Sequence, residues 1–102
     1  MKNFGYVLAT KMLVDNKHKV RFMYREEAKD GDSGWRFFCG DEDQDYTDNP
    51  ENIAIYDIDT ITAIDKSIMP YLNSAFGTAL EREDENNVFS ISKEFGFGEE
   101  GE

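Results

Sequence analysis

Two runs of β-type alternation flank one string of turn formers, and this arrangement constrains the fold more than any other feature of the chain. From His18 to Arg25, Val20, Phe22 and Tyr24 fall on one side and Lys19, Arg21, Met23 and Arg25 on the other. From Trp35 to Cys39, Trp35, Phe37 and Cys39 share a face and Arg36 and Phe38 take the opposite one. Between the runs, Glu26 to Ser33 is rich in turn formers, with Asp30-Gly31-Asp32-Ser33-Gly34 at its end. Glycine tolerates left-handed backbone there, and short Asp and Ser side chains bond to nearby amides. The spacing predicts an antiparallel hairpin. If Trp35 faces the core, the outer face carries Lys19, Arg21, Arg25 and Arg36 with Met23 and Phe38 between them, and pairing with the nearby acidic loop would account for these bases.

The remaining elements are shorter. Tyr6 to Val14 reads as a strand, interrupted by Lys11, whose far end turns irregular. Asn52 to Tyr56 reads as a short strand. Asp57 then suits an N-cap, with Ile58, Ile61 and Ile64 on one helical face and Asp59 in the first turn. Ser67 is placed to cap a further turn that tolerates Pro70 early, brings Tyr71 and Leu72 back to the core and stops at Asn73-Ser74. Thr78 to Glu83 and Asn87 to Ser92 read as two strands around Asp84-Glu85-Asn86. The expected fold is α+β, a small mostly antiparallel sheet with one or two short helices packed on one face. A chain of 102 residues has room for one two-layer core. That core is expected within a single domain over 1–94, followed by an acidic, Gly-rich flexible tail over 95–102.

Charge is unevenly spread. The net charge is -11, yet residues 1–29 hold seven Lys or Arg against three acids, and the rest of the chain four against nineteen. Asp41 to Asp65 carries nine acids and no Lys or Arg. Such a stretch repels nucleic-acid phosphates and anionic lipid and attracts a basic protein. Hydrophobic residues make up 39% of the chain, enough to order it despite its acidity. No run approaches the ~20 apolar residues of a membrane span. The N-terminal apolar run is too soon broken by Lys11 for a secretory leader, so a cytoplasmic setting is expected.

Chemistry-bearing motifs are absent or incomplete. Asp41, Asp43 and Asp45 repeat the spacing of the first ligands of a calcium loop, but Tyr46 stands where that loop needs Gly and Asn52 where it needs a bidentate Glu. Asp41 and Asp45 could serve as an acid/base pair only if burial split their pKa values, which an exposed acidic run does not favour. The single histidine, His18, reads as a surface residue and the single cysteine, Cys39, as a small core side chain, leaving no zinc or Cys/His catalytic set. No metal, cofactor or catalytic residue is expected. Trp35 suits a core anchor with its indole N–H bonded at the edge; if exposed, Trp35, Arg36 and Tyr46 would suit partner anchors.

The strings Phe22-Met23-Tyr24-Arg25-Glu26-Glu27, Ser33-Gly34-Trp35-Arg36-Phe37-Phe38, Gly40-Asp41-Glu42-Asp43 and Tyr46-Thr47-Asp48-Asn49-Pro50-Glu51-Asn52 together resemble the DUF2185 family, also described as the Imm33 immunity-protein family. The likeness continues through Tyr56-Asp57, Asp65 and Ala79-Leu80-Glu81-Arg82, covering about Tyr6 to Glu83. It implies an α+β domain that binds and neutralises a toxin in the cytoplasm of the producing bacterium. It brings no catalytic residues with it.

The expected function is therefore that of a non-enzymatic immunity protein whose partner is a basic toxin domain. The expected contact residues are Trp35, Arg36, Asp41, Glu42, Asp43, Asp45, Tyr46, Asp48 and Tyr56. Nucleic acid and membrane are not expected partners, and either a monomer or a homodimer fits. Two other readings stay open: a general interaction or regulatory domain without a toxin, and a small hydrolase or metal-dependent enzyme.

Overall fold

The computed structural model describes residues 5–28, 31–84 and 88–91. The hairpin is present: β2 (Phe22–Arg25) pairs antiparallel with β3 (Asp32–Phe38), Phe22 opposite Phe38 and Arg25 opposite Trp35. Gly34 makes the pairing possible. Its φ is +92°, and a Cβ there would lie 2.2 Å from the Glu26 carbonyl oxygen, so no side chain fits.

The faces of β2 are reversed relative to the alternation. Trp35, Phe37 and Cys39 do face the core, but Met23, opposite Phe37, is fully buried with them, whereas Phe22 and Tyr24 are half-buried on the other side. Val20 is also fully buried, although its parity differs from that of Met23, because it precedes the strand. The register against β3 selects the face, and a one-residue change of phase before Phe22 inverts every later side chain. The outer basic face consequently does not form. Arg25 donates to the Ser33 and Ser74 carbonyls at 2.8 Å, Lys19 to the Ile64 carbonyl at 2.7 Å, and Arg36 pairs with Glu26 and Asp32 in the hairpin rather than with the acidic loop.

β1 (Tyr6–Thr10) ends earlier than its apolar run because Thr10 caps α1 (Lys11–Asp15), its hydroxyl accepting from the Leu13 amide at 3.2 Å. With β4 (Ile53–Tyr56), β5 (Ala79–Glu81) and β6 (Ser90–Ile91), the sheet runs β4-β1-β3-β2-β5-β6. β3 returns between β1 and β2, antiparallel to β2 and parallel to β1, so the sheet is mixed rather than mostly antiparallel. Local pattern marks strands, but order in the sheet is a non-local choice. Residues 85 and 86 of the expected turn, residues 87 and 92 at the ends of the strand expected after it, and the tail over 95–102 lie outside the described residues.

Three short α-helices form among the described residues, against the one or two expected. α2 (Gln44–Asp48) and a 3₁₀ turn over Pro50–Asn52 lie inside what reads as an acidic loop. α3 (Ile58–Ile64) starts after Asp57 as read, and buries Ile58 and Ile61. A 3₁₀ segment over Lys66–Tyr71 follows, capped by Asp65, which accepts from the Ser67 amide, rather than by Ser67. Leu13, Ile58, Ile61, Ile68 and Leu72 pack against Val7, Ala9, Met23, Trp35 and Phe37, so one sheet face carries the core. Trp35 is 0% exposed and donates its indole N–H to the Leu72 carbonyl at 2.9 Å. No helix among the described residues is long and apolar enough to cross a membrane.

Candidate functional site

With the helices on one face, strand alternation places Leu8, Phe22, Tyr24, Arg36, Phe38 and Ile55 on the other. Phe22, Tyr24 and Phe38 form a triangle of ring contacts with centroids 5.7–5.9 Å apart. Ile55 on edge strand β4 is 64% exposed. Between β1, β3 and β4 a cleft of about 100 Å³ is lined by Leu8, Tyr24, Arg36, Phe38 and Ile53 among others. An apolar, cleft-bearing sheet face of this kind suits protein contact.

Arg36 forms the floor of the cleft and is 8% exposed. Its Nε donates to Glu26 at 2.6 Å, and its two Nη atoms grip both oxygens of Asp32 at 2.9 and 2.8 Å. Burial opposes the guanidinium charge, but the two carboxylates outweigh it and raise its pKa. The Arg36 bonds in turn hold the Asp32 carboxyl below the usual carboxylate range. Burial, with help from the Glu26 charge, pushes the neighbouring Tyr24 phenol up. The floor is thus a fixed ion cluster, one guanidinium held by two carboxylates, with an excess of negative charge under an aromatic surface.

The acidic segment leaves the sheet directly after Phe38 and returns to it at Ile53, and both residues line the cleft. Its carboxylates have different duties. Glu42 holds the loop closed, accepting from the Cys39 and Gly40 amides at 2.9 Å and from the Thr10 hydroxyl at 2.5 Å. Burial would raise its pKa, but these hydrogen bonds lower it. Asp43 caps α2, accepting from the Tyr46 amide at 2.8 Å. The Tyr46 phenol oxygen accepts from the Met12 amide at 2.9 Å, and its carbonyl from the Asn52 side chain, so α2 is pinned to α1 and to the start of β4. Asp41, Asp45 and Asp48 remain exposed around this frame.

His18, distant in the chain, comes together with Cys39 and Asp41 at the start of the same loop, with possible ligand atoms all within 4.8 Å of one another. Cys39 is buried and His18 exposed, as their sequence contexts suggest. Burial pushes the Cys39 thiol up to about 11, the Asp41 amide pulls against it, and the Glu42 charge adds to the rise.

The Immunity protein Imm33 domain family matches residues 7–92. The chain belongs to that family. No curated protein and no solved structure matches the chain. The resemblance read from the residue strings is therefore upheld, over a slightly longer span.

In this Imm33 chain the expected contact residues divide sharply. Trp35 is part of the core and offers no surface, which corrects its reading as an anchor; its indole bonds inward because the strand register turns it toward Leu72. Arg36 is buried and paired, so it shapes the cleft and exposes little of itself. Glu42 and Asp43 are committed to the loop's own amides. Asp41, Asp45 and Asp48 are exposed, and Tyr46 is half-buried. Tyr56 sits on β4 opposite Val7, half-buried against the core, and not on the open face. Phe38 lies on the outer face as its alternation with Trp35 and Phe37 predicts, whereas Leu8, Phe22, Tyr24 and Ile55 escaped the linear reading as surface residues. The signal was present in the Phe22-x-Tyr24 spacing, but alternation alone leaves open which side is covered.

Proposed function

We propose that this Imm33 protein is a non-enzymatic immunity protein that binds and neutralises a cognate toxin in the cytoplasm of its bacterium. The proposed interface combines the exposed acids Asp41, Asp45 and Asp48 with the open sheet face of Phe22, Phe38 and Ile55. The observation that supports this reading is chain continuity: the acidic segment leaves the sheet after Phe38 and rejoins it at Ile53, and both residues line the cleft. A partner with Lys and Arg around a protruding apolar side chain complements both parts. The exposed acids would speed encounter, and burial of the apolar surface would set the lifetime of the complex.

The test uses a cognate toxin domain and measures association and dissociation separately. Reversing Asp41, Asp45 and Asp48 to Lys should slow association by about tenfold or more at low salt. Phe38→Asp or Ile55→Asp should speed dissociation by about tenfold or more. Unaltered kinetics in all these variants would remove this surface from the reading. Failure of the wild-type protein to protect cells expressing the toxin would overturn the immunity function itself, even if the two proteins bind.

A further inference from the structure

We infer that His18, Cys39 and Asp41 form a binding site for a divalent transition metal of the zinc class. The three residues offer an imidazole nitrogen, a sulfur and a carboxylate oxygen, with those atoms all within 4.8 Å of one another. Around a tetrahedral zinc, bonds of about 2.0–2.3 Å place neighbouring ligand atoms about 3.3–3.7 Å apart. Closing the triad onto a metal therefore takes shifts on the order of 1 Å. His18 and Asp41 are exposed and can move that far, while buried Cys39 supplies the fixed ligand. The donor set is selective. Sulfur and imidazole favour zinc or cobalt over calcium or magnesium, and three protein ligands leave a fourth position for water.

The backbone accounts for the convergence of residues 18, 39 and 41. Lys17, at φ 56°, is the one described non-glycine residue with positive φ; it turns the chain out of α1, and the His18 amide bonds back to the Leu13 carbonyl at 2.9 Å. Gly40, at φ +96°, folds the link between Cys39 and Asp41. A metal here would tie the segment leading into β2 to the start of the acidic loop. Two features oppose it. The thiol must lose its proton on binding, and the Arg21 guanidinium lies against Gly40, where a Cβ would meet it at 3.2 Å. Nε of Arg21 is buried without a hydrogen-bond partner, so this charge is poorly neutralised at that atom. The site shares Asp41 with the proposed toxin interface, but metal binding by the chain alone tests it without a toxin.

The test is a titration of the full chain with cobalt(II), followed by zinc displacement, under reducing conditions. One equivalent of cobalt should produce a thiolate-to-metal charge-transfer band and tetrahedral ligand-field bands, and zinc should abolish both. Cys39→Ser should abolish the charge-transfer band. His18→Ala, an exposed position where circular dichroism can verify an intact fold, should weaken binding at least tenfold. Arg21→Gln should tighten it severalfold. Absence of the thiolate band in the wild-type protein, wild-type affinity in His18→Ala, or unchanged or weaker binding in Arg21→Gln would each overturn the site.

Discussion

Arg82, just beyond β5, places Nη2 2.7 Å from Oδ2 of Asp65, and both side chains are nearly fully buried. The pair is more than an ion pair. Asp65 also accepts from the Val20 and Ser67 amides, and Arg82 donates from Nε to the Val20 carbonyl at 2.9 Å. Two buried charges thereby fasten the exit of α3, the approach to β2 and the end of β5 to one another. The guanidinium lies 4.2 Å from the Phe89 ring centroid, which extends the clamp to the segment leading into β6.

Removal of one member should be costly because the other stays charged and buried. Asp65→Asn is expected to destabilise the fold by about 3–5 kcal/mol near pH 7, measured by urea unfolding. Burial opposes ionisation of Asp65, but the Ser67 and Val20 hydrogen bonds and the Arg82 charge outweigh it and hold the carboxyl below its ordinary range. Its folded-state pKa is depressed, so its stabilisation is present above the unfolded value of about 4 and is lost as pH falls through the folded one. The stability gap between wild type and Asp65→Asn should narrow as pH drops below about 4. A gap that stays constant to pH 2 would contradict this assignment.

Trp35, the single tryptophan, makes its environment directly readable. Its fluorescence should be blue-shifted and resist acrylamide in the native state. Trp35→Phe keeps an apolar ring but removes the shorter of two hydrogen bonds to the Leu72 carbonyl, leaving the one from Arg25 at 3.4 Å, and should cost about 1–3 kcal/mol. Trp35→Ala also leaves a cavity and should cost about 3–5 kcal/mol. Easy quenching in the folded protein would return Trp35 to the surface.

Gly34 tests the hairpin. Gly34→Ala puts a methyl group into the space of the Glu26 carbonyl and forces a left-handed alanine, so a loss of about 2 kcal/mol or more is expected. Gly31, also at positive φ, has nothing within 4 Å of an added Cβ, and Gly31→Ala should cost only about 1 kcal/mol from the backbone conformation. Comparable chemical-unfolding midpoints for the two variants would refute the steric account.

The acids of residues 41–48 should separate by function. Glu42→Ala removes the acceptor of the Cys39 and Gly40 amides and the Thr10 hydroxyl, and is expected to lose about 1–3 kcal/mol. Asp45→Lys, at an exposed position, should change stability by no more than about 0.5 kcal/mol. Thermal unfolding of the two variants compares them. Equal effects would mean that the loop is not held by Glu42.

Much of the local architecture was legible because it rests on short-range chemistry. The turn formers before Trp35 forecast the hairpin, and Asp57 with Ile58, Ile61 and Ile64 forecast α3 and its buried face. The acidic stretch was visible as charge, but not its internal order: α2 arises because Asp43 caps it and Tyr46 and Asn52 bind it to its neighbours. The candidate surface was half legible. Asp41, Asp45 and Asp48 are exposed, whereas Trp35 belongs to the core and the Phe22, Tyr24 and Phe38 cluster lies on the opposite sheet face.

By itself the sequence determined where strands, turns and one helix begin, and which family the chain resembles, since alternation, caps and residue strings are written within a few positions of one another. Tertiary structure alone decided that β3 lies between β1 and β2, which side of β2 faces the helices, and that His18 meets Cys39 and Asp41. The physical reason is common to all three. A period-two strand has two chemically plausible faces and several possible neighbours, and only simultaneous burial of Val7, Met23, Trp35 and Phe37 under one set of helices selects among them.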